Sequence, residues 1–494
     1  MFFFDLIQSS LAQTEYALYP QDIKNINIEG IASDSRNVRN GFLFAAIPGY
    51  KNNGVAFIQE AAANGAVAIL TEADDDLCAS LSTTAYVIQV KDVRKAFALI
   101  AKQFFGCVDD NMDLFGVTGT NGKTSVTHYI SWAFNSLGIK TGIIGTLGGI
   151  SPGGNIATER TTPDILGLFE IFSEYSENNI KAVAMEVSSH ALELKRVYGL
   201  KFRFGIFTNL TEDHLDFHKT MEEYKKAKEK LFLQCECGII NTDDTYGKQI
   251  AKALPCRAVT YSLKDPNADY FASGIINFPG KTEFSFAVRG NGKYTVTLKT
   301  PGLFSVYNAL AAAALCIEYG FAPENVCSAI SEMPPVPGRF EAVANHSGIN
   351  IILDYAHTPD GIKNVLCTAK EFTAGKIISV FGCGGDRDKA KRSEMGKISA
   401  RMADYTVITS DNPRSENEIT IAYETAKELD DMQCMYNIII NRKKAIEHAI
   451  KCAASGDTVI IMGKGHETYQ QFGKIKYPFS DRDVIKETIL RFKL

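Results

Sequence analysis

The sequence lacks the features that mark several large classes of protein. A net charge of -5 provides no basic stripe able to neutralise a phosphate backbone, so nucleic acid is not expected as a partner. The eleven cysteines include no Cys-x-x-Cys pair and no cleavable leader is recognisable before them, so we expect reduced thiols in the cytoplasm. The apolar start meets Asp5 and Gln8 long before the ~20 residues of a membrane span, so no membrane is expected either.

What is present is an ordinary globular composition on a long chain. Hydrophobic residues make up 45% and charged residues 22% of 494 residues, which indicates a folded protein. This length exceeds what one core usually organises, at roughly 100–200 residues per domain. We predict a monomer with three domains, at residues 1–107, 108–337 and 338–494. A proline-rich stretch before Gly338 marks the last boundary, because proline removes a backbone donor and disfavours helix.

Short apolar runs alternate with helical patterns along the second and third domains. A run after Met112, a glycine turn, a helix from Lys123 to about Leu137 and a run at residues 142–145 form a βαβ opening. Further strands are predicted at residues 182–187, 204–208, 238–241, 351–353, 377–381, 405–409, 438–440 and 458–462. The pattern predicts an α/β fold with a central doubly wound, mostly parallel sheet, a C-terminal Rossmann-like domain and a smaller N-terminal α/β domain.

The glycine turn has the composition of a phosphate-binding loop. Its small residues let backbone N–H groups face phosphates, its lysine can neutralise the β and γ charges, and its threonine can ligate Mg²⁺. Strict GxxxxGK[ST] spacing would place glycine where this chain has Val117, so the loop is a variant. The residues predicted to bind the nucleotide are Gly119, Thr120, Asn121, Gly122, Lys123, Thr124 and Ser125.

Two polar segments follow later strands, at the strand ends where ligands collect in open α/β sheets. The first starts at Glu186, and the second, residues 208–218, carries imidazoles and carboxylates in one loop. Because a phosphate-binding loop is predicted in the same sheet, we expect Glu186 to bind Mg²⁺ rather than to be an ordinary solvated surface acid. His190 and His218 stay undecided, with structural imidazoles the preferred interpretation.

Three polar loops follow strands of the third domain. They are residues 381–388, 411–414 and 463–467, with the sequences FGCGGDRD, DNPR and GKGHE. Loops that follow strands of one sheet can share an edge, so we predict an amino-acid pocket there, in which Arg387 can bind a carboxylate and Glu467 an ammonium.

The loop sequence GTNGKT and the order of these motifs resemble the Mur ligase and folylpolyglutamate synthetase superfamily. The likeness spans essentially the whole chain. A separate domain ahead of the nucleotide loop favours the Mur ligases, and within them the enzymes that form the UDP-muramoyl tripeptide. The resemblance implies an ATP- and Mg²⁺-dependent amide-bond ligase of peptidoglycan precursor synthesis that works through an acyl phosphate. A folylpolyglutamate synthetase and a P-loop switch without ligase chemistry are the alternatives.

The resemblance also implies roles for individual residues. Lys123 would act on the transferred phosphoryl group, and Thr124, Glu186 and His214 would hold magnesium. Lys228 would be carbamylated and would ligate a second Mg²⁺, whereas its neighbours Lys225 and Lys226 fit a solvated helix face.

Both nucleotide and sugar substrates would span domains by the same resemblance. Asn308 would lie against the adenine and Asp354 would hold the ribose. The UDP substrate would bind Ser35, Thr161, Thr162, Ser188 and Arg196.

The added amino acid is indicated by the loop at residues 411–414. Its Asn-Pro-Arg form resembles enzymes that use meso-diaminopimelate, whose far carboxylate suits Arg387 and Arg414, whereas L-lysine ends in an ammonium that arginine repels. L-Lysine stays an alternative if Arg414 only braces its loop. The predicted pocket residues are Arg387, Asp411, Asn412, Pro413, Arg414, Gly463 and Glu467.

Overall fold

A computed structural model describes residues 1–19, 26–49, 53–81, 85–278 and 280–492, which divide into two compact units. The first unit comprises Met1–Thr118, Ile139–Gly205 and Ala227–Cys237. The second comprises Gly119–Gly138, Ile206–Lys226 and Gly238–Leu494. The partition into three domains at residues 107 and 337 stays a prediction.

The first unit begins with a small α/β sheet. In the described part of the chain, its five strands lie in the order Tyr16–Tyr19, Tyr86–Val90, Ala66–Thr71, Phe42–Ala45 and Gly30–Ala32. Only the first pair is antiparallel. The helices are Phe3–Leu11, Ile58–Ala63, Asp75–Leu81 and Val93–Phe104. Phe44, Ile69 and Val87 come from one face of the strands and form a core with residues of the helices.

Three parallel strands of the first unit position the candidate site residue Glu186. Strand Ala182–Glu186 lies between Asp113–Thr118 and Thr141–Gly145, and the three are parallel. Because parallel strands end at the same edge, Glu186 and the segment after Gly145 share that edge. Antiparallel strands Gly148–Ser151 and Gly154–Ile156 extend the sheet, and the associated helices are Ile165–Glu177 and Ser189–Glu193.

Several elements contain residues of both units. They are strands Phe202–Phe207 and Cys235–Asn241 and helix Met221–Glu229. The 3₁₀ helices of the chain are Ser35–Asn37, Gly54–Phe57, Val108–Asn111, Lys230–Gln234 and Asp430–Met432.

The second unit contains the helix after the nucleotide loop and an antiparallel arm. Strands Tyr270–Phe278, Lys281–Val288 and Asn291–Leu298 pair antiparallel in succession, and Arg257–Ser262 pairs parallel with the first of them. This arm lies outside the strands predicted from sequence, because its polar–apolar alternation differs from the buried runs of a parallel sheet. The helices of this part are Lys123–Ser136, Leu215–His218, Thr245–Ala253, Leu303–Tyr319 and Pro323–Glu332.

The rest of the second unit is the expected Rossmann-like layer arrangement. Its described strands lie in the order Glu341–Ala342, Asn350–Asp354, Thr458–Met462, Ile377–Phe381, Tyr405–Ile408 and Tyr436–Ile438, and all but the first pair are parallel. The predicted strand at residues 438–440 thus begins and ends two residues earlier. The helices are Pro359–Lys370, Ala390–Met402, Glu418–Ala426, Arg442–Cys452 and Asp481–Phe492.

The sheet is buried on both faces. Ile377 and Phe381 belong to one core and Ile378 and Val380 to another, since successive strand residues point to opposite faces. A hairpin of strands Tyr469–Phe472 and Ile475–Pro478 follows the last parallel strand. Among the described residues, no helix is both long and apolar enough to cross a membrane.

Candidate active site

The nucleotide loop depends on two glycines with positive φ. Gly119 has φ +146° and Gly122 has φ +90°. A Cβ at Gly119 would lie 1.9 Å from the Thr208 hydroxyl, and one at Gly122 would lie 2.3 Å from Asn308 Oδ1. Side chains are therefore excluded at both positions, and Asn308 packs against the loop, while its contact with the adenine stays a prediction.

The loop is held by hydrogen bonds to its own backbone and to the segment that follows strand Phe202–Phe207. Lys123 Nζ donates to the carbonyls of Gly119 and Thr120 at 2.9 Å each. The Asn121 amide donates to Asn209 Oδ1 at 2.9 Å, and the Thr208 hydroxyl donates to the Asn121 carbonyl at 2.7 Å. The helix that contains Thr124 and Ser125 begins at Lys123, so its N-terminus and one cation face the position of a phosphate.

Arg339 is a site residue that no sequence motif singles out. Its Nη2 donates to the Thr124 hydroxyl at 2.8 Å, and its guanidinium lies 4.6 Å from the centroid of the Tyr355 ring. Within the described residues its Nε is buried without a hydrogen-bond partner. Arg339 follows the proline-rich stretch before Gly338, and that stretch of sequence indicated only a boundary between domains. Its position places a second cation beside the phosphate-binding loop.

The segment after strand Asn350–Asp354 connects to the nucleotide loop. Asp354 is buried and accepts from the amides of Phe340 and Ala356 at 2.6 Å each, while burial raises its pKa. Asp360 Oδ2 accepts from Asn121 Nδ2 at 3.0 Å. Asp354 thus stabilises the backbone of this segment, and its predicted contact with a ribose stays a prediction.

The loop at residues 208–218 concentrates charge around Asp213. Burial alone would raise the pKa of Asp213, but the charges of His214, Lys391 and His357 hold it well below its usual range. Asp213 Oδ1 accepts from the His214 amide at 2.9 Å, and His214 has φ +56°. The conformation of His214 is therefore fixed by the neighbouring carboxylate.

The undecided histidines of this loop region differ in burial. His218 is 4% exposed and stacks on the Tyr224 ring at 5.1 Å, which fits the preferred structural interpretation, whereas His190 is only half-buried on the short helix after Glu186.

The first unit gathers oxygen ligands around Glu186. Glu186 is 1% exposed, and its carboxylate accepts from the Thr146 amide at 2.8 Å and from the Thr146 hydroxyl at 3.2 Å. The Thr161 hydroxyl lies 3.2 Å from that of Thr146, and the Thr162 hydroxyl lies 3.1 Å from that of Ser188. Carboxylate and hydroxyl oxygens are the ligands that Mg²⁺ prefers, and the hydroxyls can also donate to an anionic substrate.

Arg196 joins the same cluster. Its Nη1 donates to the Thr162 carbonyl at 3.1 Å, and burial, followed by the charge of Arg160, lowers its pKa to about 10. It remains charged at neutral pH. A half-buried arginine beside several hydroxyls is suited to an anionic substrate.

Lys228 differs from the other lysines of its helix. Lys228 is 1% exposed, whereas Lys226 is exposed and Lys225 pairs with Glu222 at 3.1 Å. Buried lysines lose their proton more readily than exposed ones, and the neutral amine is the form that can be carbamylated. The burial therefore suits the modification implied by the resemblance.

The three loops of the predicted amino-acid pocket meet around Tyr469. Burial and the charges of Glu467 and Asp411 raise the pKa of Tyr469, while the charges of Arg414 and Arg387 lower it, so all four charged groups lie within electrostatic range of one phenol. Arg387 is exposed and makes no ion pair among the described residues. The arrangement therefore combines the cations Arg387 and Arg414 with the carboxylates Glu467 and Asp411, of which Asp411 is 8% exposed and lies 4.0 Å from Arg442.

Arg414 and Asn412 are also engaged by the protein itself. Arg414 has φ +51°, and its Nη1 donates to the Gly385 carbonyl at 2.6 Å. The Asn412 amide donates to Glu467 Oε2 at 2.9 Å. A Cβ at Gly385 would lie 1.8 Å from the Pro413 carbonyl, so the two loops are in close contact.

Three buried cations stabilise the loops of the pocket through hydrogen bonds. Arg392 is 1% exposed and donates to both oxygens of Glu416 at 2.8 and 3.0 Å. Arg442 is buried against Asp481 with two contacts of 2.7 Å. Lys464 Nζ donates to Glu467 Oε2 at 2.8 Å. Arg392 and Arg442 thus tie together segments that are distant in sequence, and Lys464 does so through a second contact, to Asn412 Oδ1 at 3.1 Å.

Comparison with known proteins gives a consistent match along the chain. Profiles of the Mur ligase family match it at residues 27–105 (catalytic domain), 117–316 (middle domain) and 338–465 (glutamate ligase domain). A curated relative from Caldanaerobacter subterraneus subsp. tengcongensis, named UDP-N-acetylmuramoyl-L-alanyl-D-glutamate--2,6-diaminopimelate ligase, is 42% identical over 466 residues, which are 94% of this chain and 95% of the relative.

The chain belongs to the Mur ligase family. This Mur ligase is accordingly an ATP-dependent enzyme that forms amide bonds. A solved UDP-N-acetylmuramoyl-L-alanyl-D-glutamate--2,6-diaminopimelate ligase is 29% identical and covers 99% of each chain with a TM-score of 0.69. The MurF ligase of Thermotoga maritima in complex with ADP shares the fold at 18% identity, covering 95% of this chain and 98% of its own with a TM-score of 0.60.

Within each unit, this Mur ligase brings together most of the residues expected from sequence. The first unit joins Thr161, Thr162, Ser188, Arg196 and Glu186 through one hydrogen-bond network with Thr146. Ser35, by contrast, donates its hydroxyl to Glu60 at 2.7 Å in the N-terminal sheet region. Its contact with a uridine stays a prediction.

The second unit connects the nucleotide loop to the amino-acid pocket. Burial and the charge of Glu467 raise the pKa of Tyr355, and the charge of Arg339 lowers it. Tyr355 therefore lies within electrostatic range of Arg339 beside the nucleotide loop and of Glu467 in the amino-acid pocket. The Tyr355 ring is also 5.1 Å from the ring of His466. Thr146 and Tyr355 each directly follow a strand, which is the signal that could have found them, whereas Tyr469 begins strand Tyr469–Phe472 and has no such signal.

Proposed function

We propose that this Mur ligase adds meso-diaminopimelate to UDP-N-acetylmuramoyl-L-alanyl-D-glutamate, and that it does so as a cytoplasmic monomer. The observation that carries the substrate is the contact among the three loops, in which Arg414 donates to the Gly385 carbonyl and Asn412 donates to Glu467, so that Arg387, Arg414 and Glu467 lie near Tyr469 together with the less exposed Asp411. A group with a carboxylate and an ammonium on one carbon, such as the far end of diaminopimelate, matches that charge pattern. The names of the curated relatives support the same substrate.

The reaction begins with transfer of the γ-phosphoryl group of ATP to the D-glutamate carboxylate. Lys123 and Arg339 neutralise charge on the transferred group, and the helix N-terminus at residue 123 orients it. The amine of the incoming amino acid then attacks the carbonyl carbon of the acyl phosphate, the C–O bond to phosphate breaks, and ADP and phosphate leave. The protein contributes position and charge rather than a covalent intermediate.

Thr124, Glu186 and His214 would hold magnesium, which supplies charge stabilisation for the phosphoryl group when bound. The donor set fits a hard cation, because two of the three donors are oxygens and phosphates and water can complete the shell. The Thr124 hydroxyl accepts from Arg339 in this structure, so that contact would give way as the site fills. Lys228, as a carbamate, would provide a further carboxylate-like donor.

The remaining predicted residues bind substrates. Gly119 to Ser125 contact the phosphates, while Asn308 and Asp354 bind the adenine and the ribose. The UDP substrate lies against Ser35, Thr161, Thr162, Ser188 and Arg196. The amino acid lies among the loops of Arg387, Asp411 to Arg414, Gly463 and Glu467.

The proposal is tested by phosphate release with ATP, the UDP-muramoyl dipeptide and a panel of amino acids. Release that requires both the dipeptide and meso-diaminopimelate is expected. In an equimolar competition with L-lysine, diaminopimelate should be incorporated predominantly, by a factor that can reach about 10⁴ where a site binds a group that the competitor lacks. Predominant lysine incorporation would overturn the amino-acid assignment, and release independent of the dipeptide would overturn the ligase.

A matched pair of arginine variants sharpens this test. Arg387→Ala should raise the KM for diaminopimelate and reduce its advantage over lysine, because it removes a cation with no partner in the described chain. Arg401→Ala, at an exposed arginine of helix Ala390–Met402, should change neither.

A further inference from the structure

Lys464 is a fully buried cation beneath the amino-acid pocket. Its side chain is 0% exposed, and its Nζ donates to Asn412 Oδ1 at 3.1 Å and to Glu467 Oε2 at 2.8 Å. The ammonium also lies 5.4 Å from the centroid of the Tyr469 ring. Burying an ammonium is unfavourable unless its charge and protons are matched, so these contacts account for its presence.

The contacts of Lys464 form a closed triangle of hydrogen bonds. Asn412 Nδ2 donates to the same Glu467 Oε2 at 2.9 Å, and Asn412 Oδ1 also accepts from the Gln471 amide at 2.9 Å. The donors on Oδ1 leave the Asn412 amide one orientation. Lys464, Asn412 and Glu467 are therefore fixed relative to one another.

The triangle leaves one oxygen of Glu467 available. Oε2 receives both donors, whereas Oε1 accepts no hydrogen bond from any residue that the structure describes, and the side chain is 15% exposed. Lys464 itself has no exposed surface with which to contact a substrate. Its influence on a substrate therefore passes through the side chains that it contacts, and of these Glu467 is the one with a carboxylate oxygen available to an ammonium.

Resting on the proposed function, we infer that Lys464 is a positioning residue for the amino-acid substrate. It holds Oε2 of Glu467 in place, so that Oε1 can bind the substrate. The group bound by Oε1 is the ammonium at the far end of diaminopimelate, on the same carbon as the far carboxylate. Without Lys464, Glu467 loses a donor and can rotate, and Asn412 loses one of the two donors on Oδ1. The carboxylate end of the substrate, bound by the arginines, is not affected in this way.

The test compares two amino acids that differ only at that ammonium. meso-Diaminopimelate has it, and 2-aminopimelate keeps the attacking amine and both carboxylates but lacks it. For Lys464→Met we expect the KM for diaminopimelate to rise about 10- to 100-fold, the range for one lost hydrogen bond to a charged group. The KM for 2-aminopimelate should change by less than about threefold, and the KM for ATP should stay within the same limit.

The matched control is Lys476→Met. Lys476 is exposed and its Nζ lies 4.5 Å from the centroid of the same Tyr469 ring, but it makes no hydrogen bond to Glu467. It should leave both KM values unchanged. Lys464→Gln, a neutral polar variant, should reproduce the selective loss and serves where Lys464→Met does not fold.

Each outcome decides the inference. An equal rise in KM for both amino acids would show general damage to the pocket and would overturn it, as would no rise for either. Failure of both Lys464 variants to fold would assign the lysine to folding and also overturn it. Failure of the proposed function is distinct, because the unmodified enzyme would then release no phosphate in response to either amino acid.

Discussion

The nucleotide loop and the amino-acid pocket of this Mur ligase are stabilised in different ways. The loop is seven consecutive residues, and its shape follows from glycine conformations and from bonds to nearby carbonyls. The pocket consists of three separate loops that depend on Arg392, Arg442 and Lys464, each at most 1% exposed. One site is therefore local in sequence and the other is assembled by buried charge.

This difference predicts different consequences of substitution. In the loop, the hydrogen bonds of Lys123 to the Gly119 and Thr120 carbonyls are bonds to neutral groups, so losing them leaves no carboxylate unpaired. Beneath the pocket, removing Arg442 leaves the buried carboxylate of Asp481 unpaired, and that is strongly unfavourable. Substitutions in the loop should affect turnover alone, and substitutions beneath the pocket should also affect stability.

The largest effect is expected at Arg442. Arg442→Met leaves Asp481, which is 0% exposed, without its cation, so the free energy of unfolding should fall by about 3–5 kcal/mol. Denaturant titration measures it. The double variant Arg442→Met with Asp481→Leu should recover much of the loss, whereas additive losses would show that the pair does not act as a unit.

Lys123 provides the contrasting case in the nucleotide loop. Lys123→Ala should reduce kcat by about 10²–10³ because it removes an electrostatic contact to the transferred phosphoryl group, and the unfolding midpoint should not move. Phosphate release and a thermal melt measure the two effects. Lys140→Ala, at an exposed lysine, is the control, and near-normal turnover of Lys123→Ala would reject the loop assignment.

A smaller loss of turnover is expected at Lys228. Lys228→Ala should lower kcat about 10- to 100-fold, the usual effect of weakening a metal site, and short carboxylic acids should restore part of it by replacing the carbamate. Lys226→Ala, on the exposed face of the same helix, should be neutral. An unmodified ammonium at Lys228 in a competent complex, or rescue of neither activity nor metal binding, contradicts the carbamate.

The sequence predicts local features better than features assembled from distant segments. The α/β class and the helix after the loop follow from local periodicity, and the predicted helix from Lys123 to about Leu137 ends one residue later than the observed Lys123–Ser136. The antiparallel arm at residues 270–298 was not predicted, since its strands alternate rather than run apolar. Alternating strands in a chain otherwise rich in buried runs give a weak signal.

The site shows the same limit. Arg387, Arg414 and Glu467 could be predicted because polar residues that follow strands indicate a site. All three are exposed or half-buried, and all three lie within electrostatic range of Tyr469. The residues beneath them could not be found in this way. Arg392 lies in a charged helix where a solvated position is the ordinary expectation, and only the folded chain brings it to Glu416.

The smallest effect concerns the acid stability of the pocket. Hydrogen bonding to Arg392 holds the pKa of Glu416 at about 2, below the ordinary glutamate value. A depressed carboxyl pKa stabilises the fold above the unfolded-state pKa, near 4.3, and that contribution disappears as the pH falls towards 2. Thermal midpoints of the unmodified protein should therefore fall between about pH 4.3 and pH 2 more steeply than those of Glu416→Gln, which has no carboxylate to protonate there.

Glu487→Gln is the control, because Glu487 is 63% exposed in its pair with Lys443 and such surface pairs contribute little. Parallel pH profiles for the unmodified protein and Glu416→Gln would show that Arg392 stabilises the pocket through Glu424 and the Gly384 carbonyl instead.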